Sequence, residues 1–188
     1  MAKLNIVKLL AIGFVIVVGL LASYFIVGLP LALIFLIVCF DSLVVARIVR
    51  MGVETGMELA TFATILAAIF YGPWMAFTFG FFIVPLITGV LGLILWGFSP
   101  VHDVGWPPLI PSPDSLTFGL AGLVVGFVYS QFNFLILTGL VGVMVRTILQ
   151  IGKEFLMGGS PRMLAYIINS ALTIALLFAT EEIILLIK

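Results

Sequence analysis

The sequence predicts an all-α fold, a polytopic transmembrane helical bundle of about six membrane segments, with five to seven as the range. Three observations carry that prediction. Of 188 residues, 64% are hydrophobic and 9% are charged. A soluble domain carries about 25% charged residues, so a water-facing surface could not be covered and lipid must be the solvent for most of the outside. Backbone groups in lipid have to pair within their own element, which leaves helices or a closed barrel. The apolar runs here are long and do not alternate with polar residues, as barrel strands of about ten residues would. The basic residues, finally, fall between the apolar runs rather than inside them. The whole chain, 1–188, reads as one integral membrane domain.

Taken in order, Lys3 and Lys8 precede an apolar run, Leu9–Val27, about long enough to cross a hydrocarbon core near 30 Å. It exceeds an ordinary signal-peptide core and no small-x-small cleavage site follows, so it reads as a retained span. Gly19 and Ser23 form a small-xxx-small face on it. Gly28-Leu29-Pro30 ends it. Leu31–Val45 is the second span, with Asp41 inside and Arg47 and Arg50 just beyond. After a short polar connection holding Glu54 comes the apolar stretch from Met57 to Phe98, entered by Glu58 and broken at Gly72-Pro73. It reads as a short small-faced helix, Glu58–Tyr71, and a longer one, Pro73–Phe98, kinked near Pro85.

Residues 99–115 form the one long polar loop, stiffened by five prolines and holding His102, Asp103, Trp106 and Asp114, the last able to cap the next helix with Ser115. Leu116–Gln150 reads as two short helices, Leu116–Ser130 and Phe134–Leu149, meeting at a turn around Asn133. Met163–Ile187 is the last span. Seven crossings with a cytoplasmic N-terminus leave Lys3, Lys8, Arg47, Arg50, Arg146, Lys153 and Arg162 inside, as the positive-inside rule asks. Five crossings, with Glu58–Tyr71 and the 116–150 region re-entrant, keep the same residues inside and move the proline-rich loop outside. The expected location is the cell membrane.

The chemistry-bearing residues are few. Zero formal net charge removes any electrostatic case for nucleic acid. There is no nucleophile elbow, no zinc-protease helix and no phosphate-binding lysine loop. The one histidine, His102, cannot build a three-histidine metal site, and the one cysteine, Cys39, excludes an internal disulfide and a multi-cysteine metal site; an enzyme is not expected, nor a cofactor. Asp41 and Glu58 stand out, because an ionisable group at membrane depth is expensive and faces the bundle interior. Two readings stay open: an ion-pair cluster of Asp41, Arg47, Arg50 and Glu58 joining the second and third helices, or a substrate-side group. His102, Asp103 and Trp106 in the loop, with Asn133 and Asn169 on the last spans, form a candidate ligand site, roofed by the loop and floored by the helices.

The segment Met57-Glu58-Leu59-Ala60-Thr61-Phe62, followed by Ile65 to Pro73 with Tyr71-Gly72-Pro73 and then Ala76 and Gly80, resembles the membrane substrate-binding (S) components of energy-coupling-factor vitamin transporters and related small membrane proteins. The likeness covers about 40 of 188 residues. It implies a six-helix bundle that captures a small vitamin-like molecule and works with partner membrane subunits. The family's alanine-xxx-alanine motif on its first helix has no counterpart in the first two segments here; alanine stripes lie at Ala63–Ala67 and Ala171–Ala175. The alternative is a non-catalytic membrane scaffold, or a subunit of a larger complex, docking other helices through such stripes.

Overall fold

A computed structural model describes residues 6–45, 58–96 and 110–187. Among these the chain is all-α. Seven helices follow one another: α1 (Ile6–Ile26), α2 (Leu29–Phe40, extended by a π-turn over Asp41–Val45), α3 (Leu59–Tyr71), α4 (residues 73–96), α5 (Pro113–Phe132), α6 (Leu135–Leu156) and α7 (Met163–Ile187). Five of them, α1 and α4 to α7, are long and apolar enough to cross a membrane; α2 and α3 are shorter apolar helices. The exposed side chains on α1 and α7 include Leu10, Phe14, Phe25, Leu164 and Leu186, an outer surface that fits contact with a lipid bilayer.

Three pairs of consecutive helices, α1 and α2, α3 and α4, and α5 and α6, are joined by tight turns. Gly72 joins α3 to α4 at φ 82, a left-handed geometry open to glycine, and Pro73 opens α4, where its missing N–H leaves nothing unpaired. Asn133 joins α5 to α6 at φ 48, one of the few non-glycine residues that tolerates this region. The expected two helices of the 116–150 region are therefore present. Each is longer than the sequence indicated: α5 begins at Pro113 because Ser112, not Asp114, is its cap, accepting from the Ser115 N–H at 3.4 Å. Seven helices, five of them long and apolar enough to cross a membrane, fit a bundle of about six segments.

α3 is the axis of the bundle. Every side chain from Ala60 to Ile69 is buried, against α2, α4, α5, α6 and α7. Its small residues let backbones come close. On the neighbouring α5, Gly122 lies where a Cβ would sit 2.8 Å from the Thr64 methyl of α3, and Gly126 lies against the backbone of Pro73. At thirteen residues α3 spans only about 20 Å, less than a hydrocarbon core of about 30 Å. Measured from its turn with α4, it begins inside the bundle rather than at its surface.

The kink expected at Pro85 takes a specific form. α4 widens into a π-turn over Phe79–Ile83 just before the proline, and Gly80 in that turn lies so close to α5 that a Cβ would be 2.8 Å from the Phe118 carbonyl carbon. Thr88 donates its hydroxyl to the Val84 and Pro85 carbonyls, at 3.0 and 3.2 Å, so its polar atom is satisfied within the helix. Gly19 of α1 does receive a neighbour: the Phe35 ring of α2 occupies the space its side chain would need. Cys39 is buried packing.

Candidate functional site

All the described basic residues gather at one end of the bundle. The start of α1 (Lys8), the ends of α2, α4 and α6, and the starts of α3, α5 and α7 meet there. The three tight turns at Gly28, Gly72 and Asn133 lie at the other end, with Glu181 and Glu182 near the finish of α7. Lys8 ties α1 to α4 by donating to the Leu95 carbonyl at 3.1 Å.

Glu58 sits at the cap of α3, at the depth where that short helix begins. Its carboxylate takes contacts from three helices. Oε2 accepts from the Thr61 hydroxyl at 3.1 Å, from the Asn169 amide of α7 at 3.2 Å and from Arg146 of α6 at 3.4 Å. Among the described residues, Oε1 has Arg146 alone, also at 3.4 Å. The two partners differ in surroundings: the Arg146 side chain is 6% exposed and that of Glu58 30%. The guanidinium is held further by the Thr117 hydroxyl at 2.6 Å, by the Gln150 side-chain oxygen, and by the face of Phe118 at 4.0 Å from the ring centroid. Planar delocalised charge makes arginine the residue suited to such mixed stacking and hydrogen bonding. Around this centre lie two more ion pairs, Asp114 with Lys153 and Glu154 with Arg162, the latter at 3.3 Å.

Asp41, the other membrane acid, has a different task. The π-turn that ends α2 brings its Oδ1 to 2.9 Å from the Leu59 N–H, the first free donor of α3. Glu58, at the cap position itself, makes no such bond. Asp41 therefore caps α3 from another helix, satisfying an orphan donor and placing negative charge at a positive helix terminus.

Between α2, α3, α4 and α5 lies a small cleft of about 30 Å³, lined by Asp41, Glu58, Ala60, Val84, Pro85, Thr88, Ser112, Asp114, Ser115 and Phe118. Three of these are carboxylates and three are hydroxyls. No lysine or arginine is among the described lining residues. Among the described residues, no group of three or more His, Cys, Asp or Glu side chains is placed to hold a metal ion.

The residues singled out from the sequence separate in space. Arg47, Arg50, His102, Asp103 and Trp106 lie outside the described residues. Asp41 and Glu58 come together at the start of α3, and Asn169 joins them by its bond to Glu58. Asn133 does not join them. It is the left-handed residue that ends α5, sixteen positions beyond Thr117 and about 24 Å away along the helix, so it shares no floor with Asn169. Sequence reasoning passed over Arg146, Thr117, Gln150 and Lys153 as participants. Their signal was weak but present: α6 carries Arg146, Gln150 and Glu154 at four-residue spacing, a buried polar stripe on an apolar helix.

No protein-family model, no curated protein and no solved structure matches the chain. The fold and site by themselves define a class: an all-α helical bundle with several helices able to span a membrane and a charged network buried at one end.

Proposed function

We propose that the chain is a multi-pass subunit of the cell membrane that captures a small solute carrying an ammonium-like positive charge, working with partner membrane subunits in its transport. The observation that carries this reading is the small cleft of about 30 Å³ walled by Asp41, Glu58 and Asp114. That is room for a group about the size of water or ammonium, so the cleft takes the charged head of a solute and leaves the remainder outside. Ala60, Val84, Pro85 and Phe118 supply the apolar wall, and Thr88, Ser112 and Ser115 the hydroxyls. Glu58 and Asp114 are paired with Arg146 and Lys153, while Asp41 has no basic partner among the described residues, so it is at Asp41 that the wall favours a cation over a neutral or anionic solute. Without a metal-holding group among the described residues, an organic cation fits better than a metal ion.

The resemblance of residues 57–80 to substrate-binding transporter subunits supports the capture role. The positive-inside rule supports a cytoplasmic placement of the charged end, since Lys8, Arg146, Lys153 and Arg162 all lie there. The cleft then opens toward the cytoplasm, and Asn133 falls on the outer side. A second reading, a scaffold subunit of a larger complex, is favoured by the exposed Ala171, Ala175 and Ala179 on α7, a surface that lets another helix approach closely.

Thermal unfolding of the purified protein in lipid nanodiscs tests the first reading. Small alkylammonium ions should raise the melting temperature in a saturable way, by mass action on the folded state, while neutral alcohols and carboxylates of the same size should not. Equal stabilisation by all three classes, or by none, would remove the cation site.

A further inference from the structure

Glu58 faces two ways. On one side it lines the cleft, and its side chain is 30% exposed there. On the other it holds α7, by accepting from the Asn169 amide at 3.2 Å, while Asn169 also donates to Thr61 at 3.3 Å. We infer that Glu58 is a latch that couples occupancy of the cleft to the seating of α7, an inference that rests on the proposed capture of a cation.

Three features make α7 the movable element. It is the least enclosed helix after α1, with Thr173, Leu177 and Ile184 as its buried residues among the 25 of the helix. It leaves α6 through Gly158, at φ 74 with open space around it, and the following N–H of Gly159 returns to the Glu154 carbonyl at 2.8 Å. That closes α6 in a Schellman geometry and leaves the chain free to change direction afterwards. The connection stays attached to α6 through Arg162, whose backbone N–H and guanidinium both reach Glu154, so a pivot just beyond Arg162 leaves that anchor intact. On the inner face of α7, moreover, the Asn169 Oδ1 and the Thr173 hydroxyl are buried without a hydrogen-bond partner among the described residues. A buried polar atom without a partner is destabilising, so the seated position of α7 is held against a local penalty, and the bonds from Asn169 to Glu58 and Thr61 offset it.

The competition is at the oxygens. Among the described residues, Oε1 carries one long contact, to Arg146, and Oε2 carries three. An ammonium group entering the cleft finds Oε1 the freer atom, and turning Glu58 toward it draws Oε2 away from Asn169. The helix loses its polar tie to α3 and is left with apolar contacts such as Leu177 in the gap at Gly139. From Arg162 to Leu186 is 24 residues, about 36 Å of helix, so a tilt of about 10° moves the far end by roughly 6 Å.

Electron–electron distance measurement on the intact chain in nanodiscs reads this directly, with spin labels at Phe132→Cys on α5 and Leu186→Cys on α7, both exposed at the far end, and with buried Cys39 left unlabelled. The latch requires one narrow distance in the parent, and a second, longer population shifted by several ångströms in Asn169→Leu, in Glu58→Gln, and in the parent saturated with ethylammonium. Asn169→Leu leaves the Glu58–Arg146 pair in place, so it reports the tie to α7 even if Glu58→Gln folds poorly. A folded Asn169→Leu protein with the parent distribution overturns the latch. If ethylammonium binds to saturation and the distance stays put while Asn169→Leu shifts it, the coupling to the cleft is overturned. If ethylammonium does not bind, the capture reading fails, and the response of Asn169→Leu still decides the latch.

Discussion

Removing the charge of Glu58 strands a buried guanidinium. Arg146 is 6% exposed and Glu58 is the acid it touches among the described residues, with Thr117, Gln150 and the Phe118 ring as neutral contacts and Asp114 close enough to feel its charge. Breaking a fully buried pair by deleting one partner costs about 3–5 kcal/mol. Glu58 is 30% exposed, and glutamine keeps an oxygen for Thr61 and Asn169, so the expected loss for Glu58→Gln is about 2 kcal/mol, after discounting for screening. For a chain of this size that is a fall of about 4–8 °C in melting temperature. The double variant Glu58→Gln/Arg146→Met removes the stranded cation as well as its partner and should recover at least half of the loss, because the two positions are in contact and their effects are not additive. Thermal unfolding in nanodiscs, followed by near-ultraviolet circular dichroism, measures all three. A parent-like melting temperature for Glu58→Gln, or a double variant that melts at the sum of the single losses, would refute the pairing.

Other substitutions separate the roles of neighbouring groups. Asp41→Ala deletes the cap on α3 and should lower stability by about 1 kcal/mol, whereas Asp41→Asn keeps an acceptor for the Leu59 N–H and should lose a few tenths; equal losses in unfolding scans would mean that the charge matters and the bond does not. Gly126→Ala puts a methyl group against the Pro73 backbone, which cannot yield as a side chain does, and should cost about 1–3 kcal/mol by overpacking, read as lost folded yield, while Gly152→Ala, with open space around it, should be neutral or stabilising. Cysteine at Ser160, exposed between α6 and α7, should be labelled by an impermeant maleimide only from the cytoplasmic side and cysteine at Phe132 only from outside; the reverse pattern would invert the topology.

Much of the bundle was written in the local sequence. Gly72-Pro73 specifies the turn between α3 and α4 by backbone chemistry alone, and the long apolar runs require helices whatever their partners. The α2 and α4 π-turns were not readable, because each arises from a tertiary demand: bringing Asp41 to the Leu59 N–H across 18 positions, and letting Gly80 touch α5 ahead of Pro85. The site divided in the same way. Glu58 and Asp41 were conspicuous as acids at membrane depth. Their partners were not, since Arg146 is 88 positions from Glu58 and Asn169 is 111, and nothing local marks such a pair. Nearest-in-sequence reasoning offered Arg47 and Arg50, which lie outside the described residues, and grouped Asn133 with Asn169 although a whole helix length separates their levels.

Equilibrium dialysis of radiolabelled ethylammonium against the protein in nanodiscs decides whether the cleft is a cation site. One ion per chain should bind, a neutral isostere should not compete, and Thr88→Leu, which fills the cleft wall without touching any carboxylate, should weaken binding by at least tenfold, about 1.4 kcal/mol. Binding that is absent, that neutral isosteres displace equally well, or that Thr88→Leu leaves unchanged in a folded protein would contradict the assignment.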